Sequence, residues 1–147
     1  MEGRQNGQPR RPHERRFFAD IEFIDQFFGP GEVADIWLTF SDPQPKDEKG
    51  TKRITSGKFI ERYRKFLAPG GSVKVKSDSK LLYALSKEDY LEAGYPFLHD
   101  SDDVYGGFLE TVDADLRDAL NIKTYYEQRW LEEGKNIHFM EIVPPAL

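Results

Sequence analysis

Apolar and polar residues follow two different periods along this chain, one typical of helices and one typical of strands. In the stretch DIEFIDQFF, apolar residues recur at helical spacing, and Gly29-Pro30-Gly31 then ends the segment. The following run VADIWLTF is rich in β-branched and aromatic residues. It predicts a strand with Ile36, Leu38 and Phe40 on one face.

The clearest predicted helix follows this strand. Ser56 is placed to cap it, charged residues occupy one side, and the other side carries an apolar stripe of Phe59, Ile60, Tyr63, Phe66 and Leu67. The turn APGG would end the helix, and SVKVKSD then alternates as a short strand with its valines opposite Lys74 and Lys76. A strand, a helix and a strand at such short separations predict a βαβ unit with a parallel pair and a right-handed crossover.

The remaining segments predict further α/β elements. KLLYALSKEDYLEAG is helical up to Gly94, YPFLHDSDDVYGG is a strand with a loop, and residues 112–120 form a short acidic helix. TYYEQRWLEEG is another helix with a glycine stop, and NIHFMEIV is a closing strand. Residues 1–16 have no apolar periodicity and are rich in Arg, Gly, Gln and Pro. We therefore expect a disordered basic tail over 1–16 and one α/β domain over 17–147.

Composition narrows the class of protein. A chain of 147 residues with 38% hydrophobic and 14% aromatic residues can bury one core. The absence of cysteine excludes disulfides, thiolate metal sites and Cys nucleophiles. No apolar run is long enough to cross a bilayer, and the Arg-rich start has no apolar signal-peptide region behind it. The expectation is a soluble cytoplasmic protein.

Charge is unevenly distributed along the chain. The net charge is -5, yet the segment from Lys46 to Lys65 holds eight Lys and Arg residues against three acids. The segment from Glu88 to Asp118 holds ten acids and one Arg. Such segregation permits a basic face to meet phosphate, whereas the alternative is two solvated faces of opposite sign.

Two acids follow the two strands of the predicted βαβ unit. Asp42 lies two residues past VADIWLTF, and Asp78 directly follows SVKVKS. In an open α/β sheet, ligands bind beyond the carboxyl ends of parallel strands, where both carboxylates and the basic loop from Lys46 would meet. The alternative is that Asp42 caps a turn and Asp78 caps the next helix.

The segment KTYYEQRW reads as structural on physical grounds alone. Thr124-x-x-Glu127 matches a helix capping box, in which the carboxylate also reaches back to the cap, and Tyr126 and Trp130 have the spacing of core residues. No metal site is visible, since the three histidines are scattered. The chain has no Walker loop, no nucleophile elbow and no G-x-G-x-x-G turn between a strand and a helix.

Four motifs in one order carry a resemblance to a known family. WLTFSDPQPK resembles the tRNA (guanine-N7)-methyltransferases, which have an apolar strand, a Pro-Asp-Pro turn and then Lys with a basic run. The stretches KRITSGKFIERYRKFLAPGG, KVKSD and KTYYEQRWLEEGKNI are similar to further family motifs. The resemblance covers residues 20–142 and is weakest between 85 and 118. Four ordered motifs make it specific.

The resemblance implies a Rossmann-like fold that uses S-adenosylmethionine to methylate N7 of a guanine in tRNA. Asp42 matches the family's active-site acid, and Asp42 and Asp20 are the implied cofactor contacts. The implied tRNA contacts are Lys46, Asp78, Thr124, Tyr125, Tyr126 and Glu127. The implied partner is therefore tRNA, with no membrane and no metal, and the sequence leaves monomer and homodimer open.

Two departures from the family pattern matter. Ser41 stands where the family usually has Pro, and the family's first strands with their Gly-rich turn have no counterpart here. We therefore expect a fold that is incomplete at its N-terminus, from a truncated or mis-started reading frame. One alternative is a non-catalytic remnant that binds RNA or a partner through Lys46 to Lys65. Another is a marginally stable sheet with an exposed edge.

Overall fold

A computed structural model of the chain describes residues 21–40 and 53–147. These residues form a mixed four-stranded sheet of order β1-β2-β4-β3. Its strands are β1 (Val33–Thr39), β2 (Leu67–Ser77), β3 (Phe97–Ser101) and β4 (His138–Ile142). Strand β1 runs parallel to β2, as predicted, whereas β4 lies antiparallel between β2 and β3. Within the described part of the chain, β1 is an edge strand. The expected tail over 1–16 lies outside these residues.

Four α-helices connect the strands and begin where the sequence provides caps. They are α1 (Gly57–Tyr63), α2 (Lys80–Ala93), α3 (Ala114–Leu120) and α4 (Tyr125–Glu132). The side chains of Ser56, Ser79, Asp113 and Thr124 each accept a backbone N–H of the first turn, which satisfies a donor that has no partner within the helix. Gly94 ends α2 in a left-handed conformation, as predicted. Ile21–Gln26 and Phe108–Thr111 are 3-10 helices.

Two hydrophobic clusters lie on opposite faces of the sheet, because successive strand residues point to opposite sides. The first packs α1 and α2 on the sheet and includes Phe59, Tyr63, Val73, Val75, Tyr90, Met140 and Ile142. The second lies beneath the segment from Val104 to Leu131 and includes Val104, Leu116, Leu120, Ile137 and Phe139. The acidic, weakly apolar stretch that follows β3 is thus part of a buried layer.

Two local predictions were wrong. Helix α1 ends at Tyr63, and the stretch LAPGG, expected to end a helix, belongs to β2, which begins at Leu67. An irregularity in the β1–β2 register accommodates the glycines, and a Cβ at Gly71 would lie 2.6 Å from the Ala34 carbonyl oxygen. Phe40 does not share a face with Ile36 and Leu38, because its left-handed φ of 54° turns the ring toward the second cluster.

Candidate functional site

The parallel strands β1 and β2 end together, as the sequence predicts. Phe40 N–H continues the ladder past β1 and donates to the Lys76 carbonyl at 2.7 Å. Phe40 then adopts a left-handed backbone, which costs a non-glycine residue about 1 kcal/mol or more and is a feature of functional turns. The segment that leaves this turn carries Asp42 and Lys46. Both residues, and Asp20, lie outside the described residues.

Asp78 lies at the same edge of the sheet, directly after β2. It does not cap α2, because Ser79 Oγ accepts the Leu82 N–H at 3.1 Å. The carboxylate of Asp78 is partly exposed, and its Oδ2 atom lies 4.0 Å from Lys135 Nζ. A capping role, the structural alternative for Asp78, is therefore excluded.

A buried ion pair lies next to this edge and joins β2 to α4. Lys76 Nζ contacts both oxygens of Glu127, at 2.9 and 3.0 Å, and also donates to the Leu120 carbonyl at 2.9 Å. Glu127 is fully buried, and 4% of the Lys76 side chain is exposed. Tyr105 O–H donates to Glu127 and lies within hydrogen-bond distance of the Leu120 carbonyl. Burial lowers the pKa of Lys76, and Glu127 offsets part of this effect.

The capping box was half correct. Glu127 N–H donates to Thr124 Oγ1 at 3.1 Å, as predicted. The carboxylate of Glu127 points inward to Lys76 and Tyr105 instead of reaching back to Thr124. The first turn of α4 is consequently fixed by a partner on another element.

Four aromatic side chains form a continuous strip from the end of β1 to the surface of α4. In this aromatic strip, Phe40 packs on Trp130 at 5.1 Å, Trp130 on Tyr126 at 6.3 Å, and Tyr126 on Tyr125 at 5.7 Å between ring centroids. Tyr126 was expected in the core, yet it is 63% exposed, and Tyr125 is 68% exposed.

Cations border the aromatic strip. The Lys135 ammonium lies 6.0 Å from the Trp130 ring, and the Arg129 guanidinium lies 5.9 Å from the Tyr125 ring. Since Lys135 also contacts Asp78, it links the strip to the carboxylate at the end of β2. Exposed aromatic rings beside cations can stack on bases and attract phosphates.

Several cations of the basic segment from Lys46 to Lys65 pair with acids within the fold. Arg53 is 5% exposed and lies 3.9 Å from Asp89. Arg64 pairs with Glu61 at 2.8 Å, and Lys65 pairs with Asp25 at 3.1 Å. Because Arg53 is buried, its guanidinium is inaccessible to a large partner. The pairs of Arg64 and Lys65 neutralise part of the positive charge at the end of α1.

Two further polar features were not predicted from the sequence. His138 is buried against Tyr83, with ring centroids 4.8 Å apart, and neither of its ring nitrogens has a hydrogen-bond partner among the described residues. Two residues earlier on the same face of β2, Lys74 pairs with Asp35 at 3.1 Å and with Glu141 at 3.2 Å. Lys74 and Lys76 are both buried, and each meets an acid from another strand or helix.

The features implied for the cofactor site are not found among the described residues. Across 21–40 and 53–147, no Gly-rich turn follows a strand, and the implied cofactor contacts Asp42 and Asp20 fall elsewhere in the chain. Over the same ranges, no cluster of His, Asp or Glu residues could hold a metal ion. No helix in the described part is both long and apolar enough to cross a membrane.

The chain matches a known methyltransferase family. A family model described as "Putative methyltransferase" matches residues 15–140. The chain therefore belongs to this family, and the predicted Rossmann-like methyltransferase fold is confirmed.

The chain is also similar to curated proteins that share one name. A tRNA (guanine-N(7)-)-methyltransferase of Bacteroides fragilis is 48% identical over 127 residues, 86% of this chain and 47% of that protein. The protein of the same name from Bacteroides thetaiotaomicron is 47% identical over equal shares. The one from Mycoplasma mobile is 32% identical over 84% of this chain and 57% of its own length.

The chain thus spans about half the length of the curated relatives it matches. Among solved structures, a phosphoethanolamine N-methyltransferase 2 of Haemonchus contortus in complex with S-adenosyl-L-methionine shares 16% identity over 81% of this chain and 35% of its own. Its TM-score is 0.35, which supports no statement about this chain.

Proposed function

We propose that this chain is the guanine-binding part of a tRNA (guanine-N7)-methyltransferase that uses S-adenosylmethionine in the cytoplasm. The observation that carries the proposal is the edge of the sheet where β1 and β2 end. There Asp78, Lys135 and the aromatic strip form one connected surface, in a chain whose named relatives modify tRNA. Along the chain, Asp42 and Lys46 follow Phe40, which lies at this edge.

The chemistry asks little of the protein beyond alignment. Guanine N7 carries a lone pair, so a methyl group can be accepted without a strong base, and the main requirement is to hold N7 in line. S-adenosylmethionine, when bound, supplies the methyl group. The methylated guanine is positively charged, and in this proposal the carboxylate of Asp42 stabilises that charge as it develops.

The described residues are assigned to the RNA. In this proposal, Asp78 accepts hydrogen bonds from the N1–H and N2–H groups of the guanine. Its carboxylate is available for these bonds because it is partly exposed and caps no helix. Tyr125 and Tyr126 stack on bases, with Thr124 beside them, and Lys46 holds phosphate. The carboxylate of Glu127 is buried and therefore does not face the RNA. Glu127 is assigned to the same site because it lies in the first turn of α4, beside Tyr126.

Methyl transfer to a chosen atom tests the proposal directly. A fusion of this chain to the preceding half of the Bacteroides fragilis relative is given methyl-labelled S-adenosylmethionine and a tRNA transcript. We expect label in the variable-loop guanine and none when that guanine is replaced by 7-deazaguanine. Asp42→Asn should abolish transfer while tRNA binding persists. Full turnover by Asp42→Asn, or labelling of the 7-deaza transcript, would refute the assignment.

The unfused chain separates the enzyme from its alternative. It is titrated calorimetrically with S-adenosylmethionine and, separately, with tRNA at two salt concentrations. Saturable binding of both supports an enzyme whose described edge contributes to both sites. Salt-dependent tRNA binding by the unfused chain, together with no methyl transfer by the fusion, favours the non-catalytic RNA-binding remnant. Binding of neither by a cooperatively folded chain contradicts both.

A further inference from the structure

Lys76 contacts several of the elements at the edge where β1 and β2 end. Its ammonium binds Glu127 of α4 and the carbonyl of Leu120 at the end of α3. It also lies 5.9 Å from the Phe40 ring and 5.8 Å from the Tyr105 ring. We propose that Lys76 is a positioning residue, which sets the turn after β1 and the first turn of α4 relative to each other. The inference rests on the proposed function for its consequence, not for its geometry.

The contacts of Lys76 link Phe40, at the end of β1, to the first turn of α4, although the two are far apart in sequence. On one side, the Lys76 carbonyl holds the Phe40 N–H while its ammonium faces the Phe40 ring, so the left-handed turn is held from both sides. On the other side, the pair with Glu127 fixes the residue that directly follows Tyr126. The two ends meet again where Phe40 packs on Trp130. Lys76 thereby links the aromatic strip on α4 to Phe40 at the end of β1.

The stability gained from the Lys76–Glu127 ion pair does not by itself explain a buried lysine at this position. A buried ion pair costs much of its attraction in desolvation, and apolar replacements of the whole pair are often as stable. A buried charge with directional partners does, however, restrict geometry in a way that an apolar side chain does not. Lys76 has carboxylate, carbonyl and aromatic partners on three sides, which suits a residue that specifies an arrangement.

The chain supplies its own control in Lys74. Both lysines lie on the same face of β2, both are buried, and both pair with a carboxylate from a strand or helix distant in sequence. Lys74 differs because its partners Asp35 and Glu141 lie away from the carboxyl ends of β1 and β2. Lys74→Met therefore removes a comparable buried charge without touching the proposed site.

The experiment compares Lys76→Met with Lys74→Met in the full chain. Amide hydrogen exchange is followed at Phe40, Glu127 and Gln128, whose N–H groups bond to Lys76, Thr124 Oγ1 and the Thr124 carbonyl. The reference is Val33, which bonds to Phe66 at the other end of β1. In Lys76→Met, exchange at the three amides should rise about tenfold relative to Val33, because local opening no longer breaks a buried ion pair. In Lys74→Met the ratio should stay at the wild-type value.

The affinity for tRNA is the second readout, measured well below the unfolding temperature of both variants. Lys76→Met should bind about tenfold more weakly, because the strip must be ordered on binding, and Lys74→Met should bind as the wild type does. Equal changes in the two variants, in exchange ratio or affinity, would show that Lys76 is merely stabilising and would overturn the inference. If the wild-type chain binds no tRNA, the proposed function fails, and the exchange ratio still decides the role of Lys76.

Discussion

Removing Glu127 should expose the cost of a buried, unpaired ammonium. In Glu127→Ala, Lys76 loses contacts of 2.9 and 3.0 Å, and Tyr105 keeps only the Leu120 carbonyl. Because Glu127 is fully buried and Lys76 nearly so, water cannot replace the lost partner without local opening. Breaking one side of such a pair costs about 3–5 kcal/mol of unfolding free energy. Glu127→Gln, which keeps the volume and one acceptor, should cost less.

The stability of Glu127→Ala should depend on pH, and the pKa of Lys76 determines the direction of the change. Burial already lowers the pKa of Lys76, and without Glu127 the folded-state pKa falls further below the unfolded value of about 10.4. Between these two values the unfolded state binds more protons, so the stability of Glu127→Ala rises with pH. The slope can reach about 1.4 kcal/mol per pH unit. The deficit of the variant relative to wild type should therefore shrink between neutral pH and pH values near 10.

Urea unfolding followed by circular dichroism measures both quantities, at neutral and at alkaline pH, with m-values compared to confirm a common unfolding transition. Both effects require that Lys76 stays charged and shielded from water at neutral pH. A loss below about 1 kcal/mol, or a deficit that does not change with pH, would show that water reaches Lys76 and would refute both predictions.

Three further substitutions test the sheet at positions away from the proposed site. Gly71→Ala places a Cβ 2.6 Å from the Ala34 carbonyl oxygen and 2.8 Å from that of Ala68, so we expect a loss of about 3 kcal/mol in urea unfolding. Gly70→Ala, with open space but a φ of 76°, should cost only about 1 kcal/mol, and equal losses would contradict the close approach. For Glu141, burial raises the pKa, but bonds from Ser72 and His99 and the charge of Lys74 outweigh it and hold the pKa below its usual value. Its stabilisation is present above the unfolded pKa of about 4.3 and is lost as pH falls through the folded value, so Glu141→Gln should flatten the acid limb of the stability curve; an unchanged limb would assign it to other groups.

Local patterns in the sequence were enough to predict several elements. The strand at VADIWLTF, the cap at Ser56, the end of α2 at Gly94 and the cap at Thr124 each depend on neighbours within a few residues, and each was confirmed. The ordered motifs also sufficed to predict the methyltransferase family. The parallel pairing of β1 and β2 followed from the helix in the connection between them.

Tertiary contacts determine which polar side chains are buried and where they point. Lys76 and Glu127 are 51 positions apart, so no local pattern could show that they form a pair. The alternation in β2 shows only that Lys76 lies on the face opposite the valines, and the capping box suggested a carboxylate turned back on its own helix. The cap is replaced because a buried carboxylate gains more from a distant charged partner than from its own helix. The left-handed turn at Phe40 and the exposure of Tyr126 have the same origin, since the layer above the sheet determines which aromatic faces are covered.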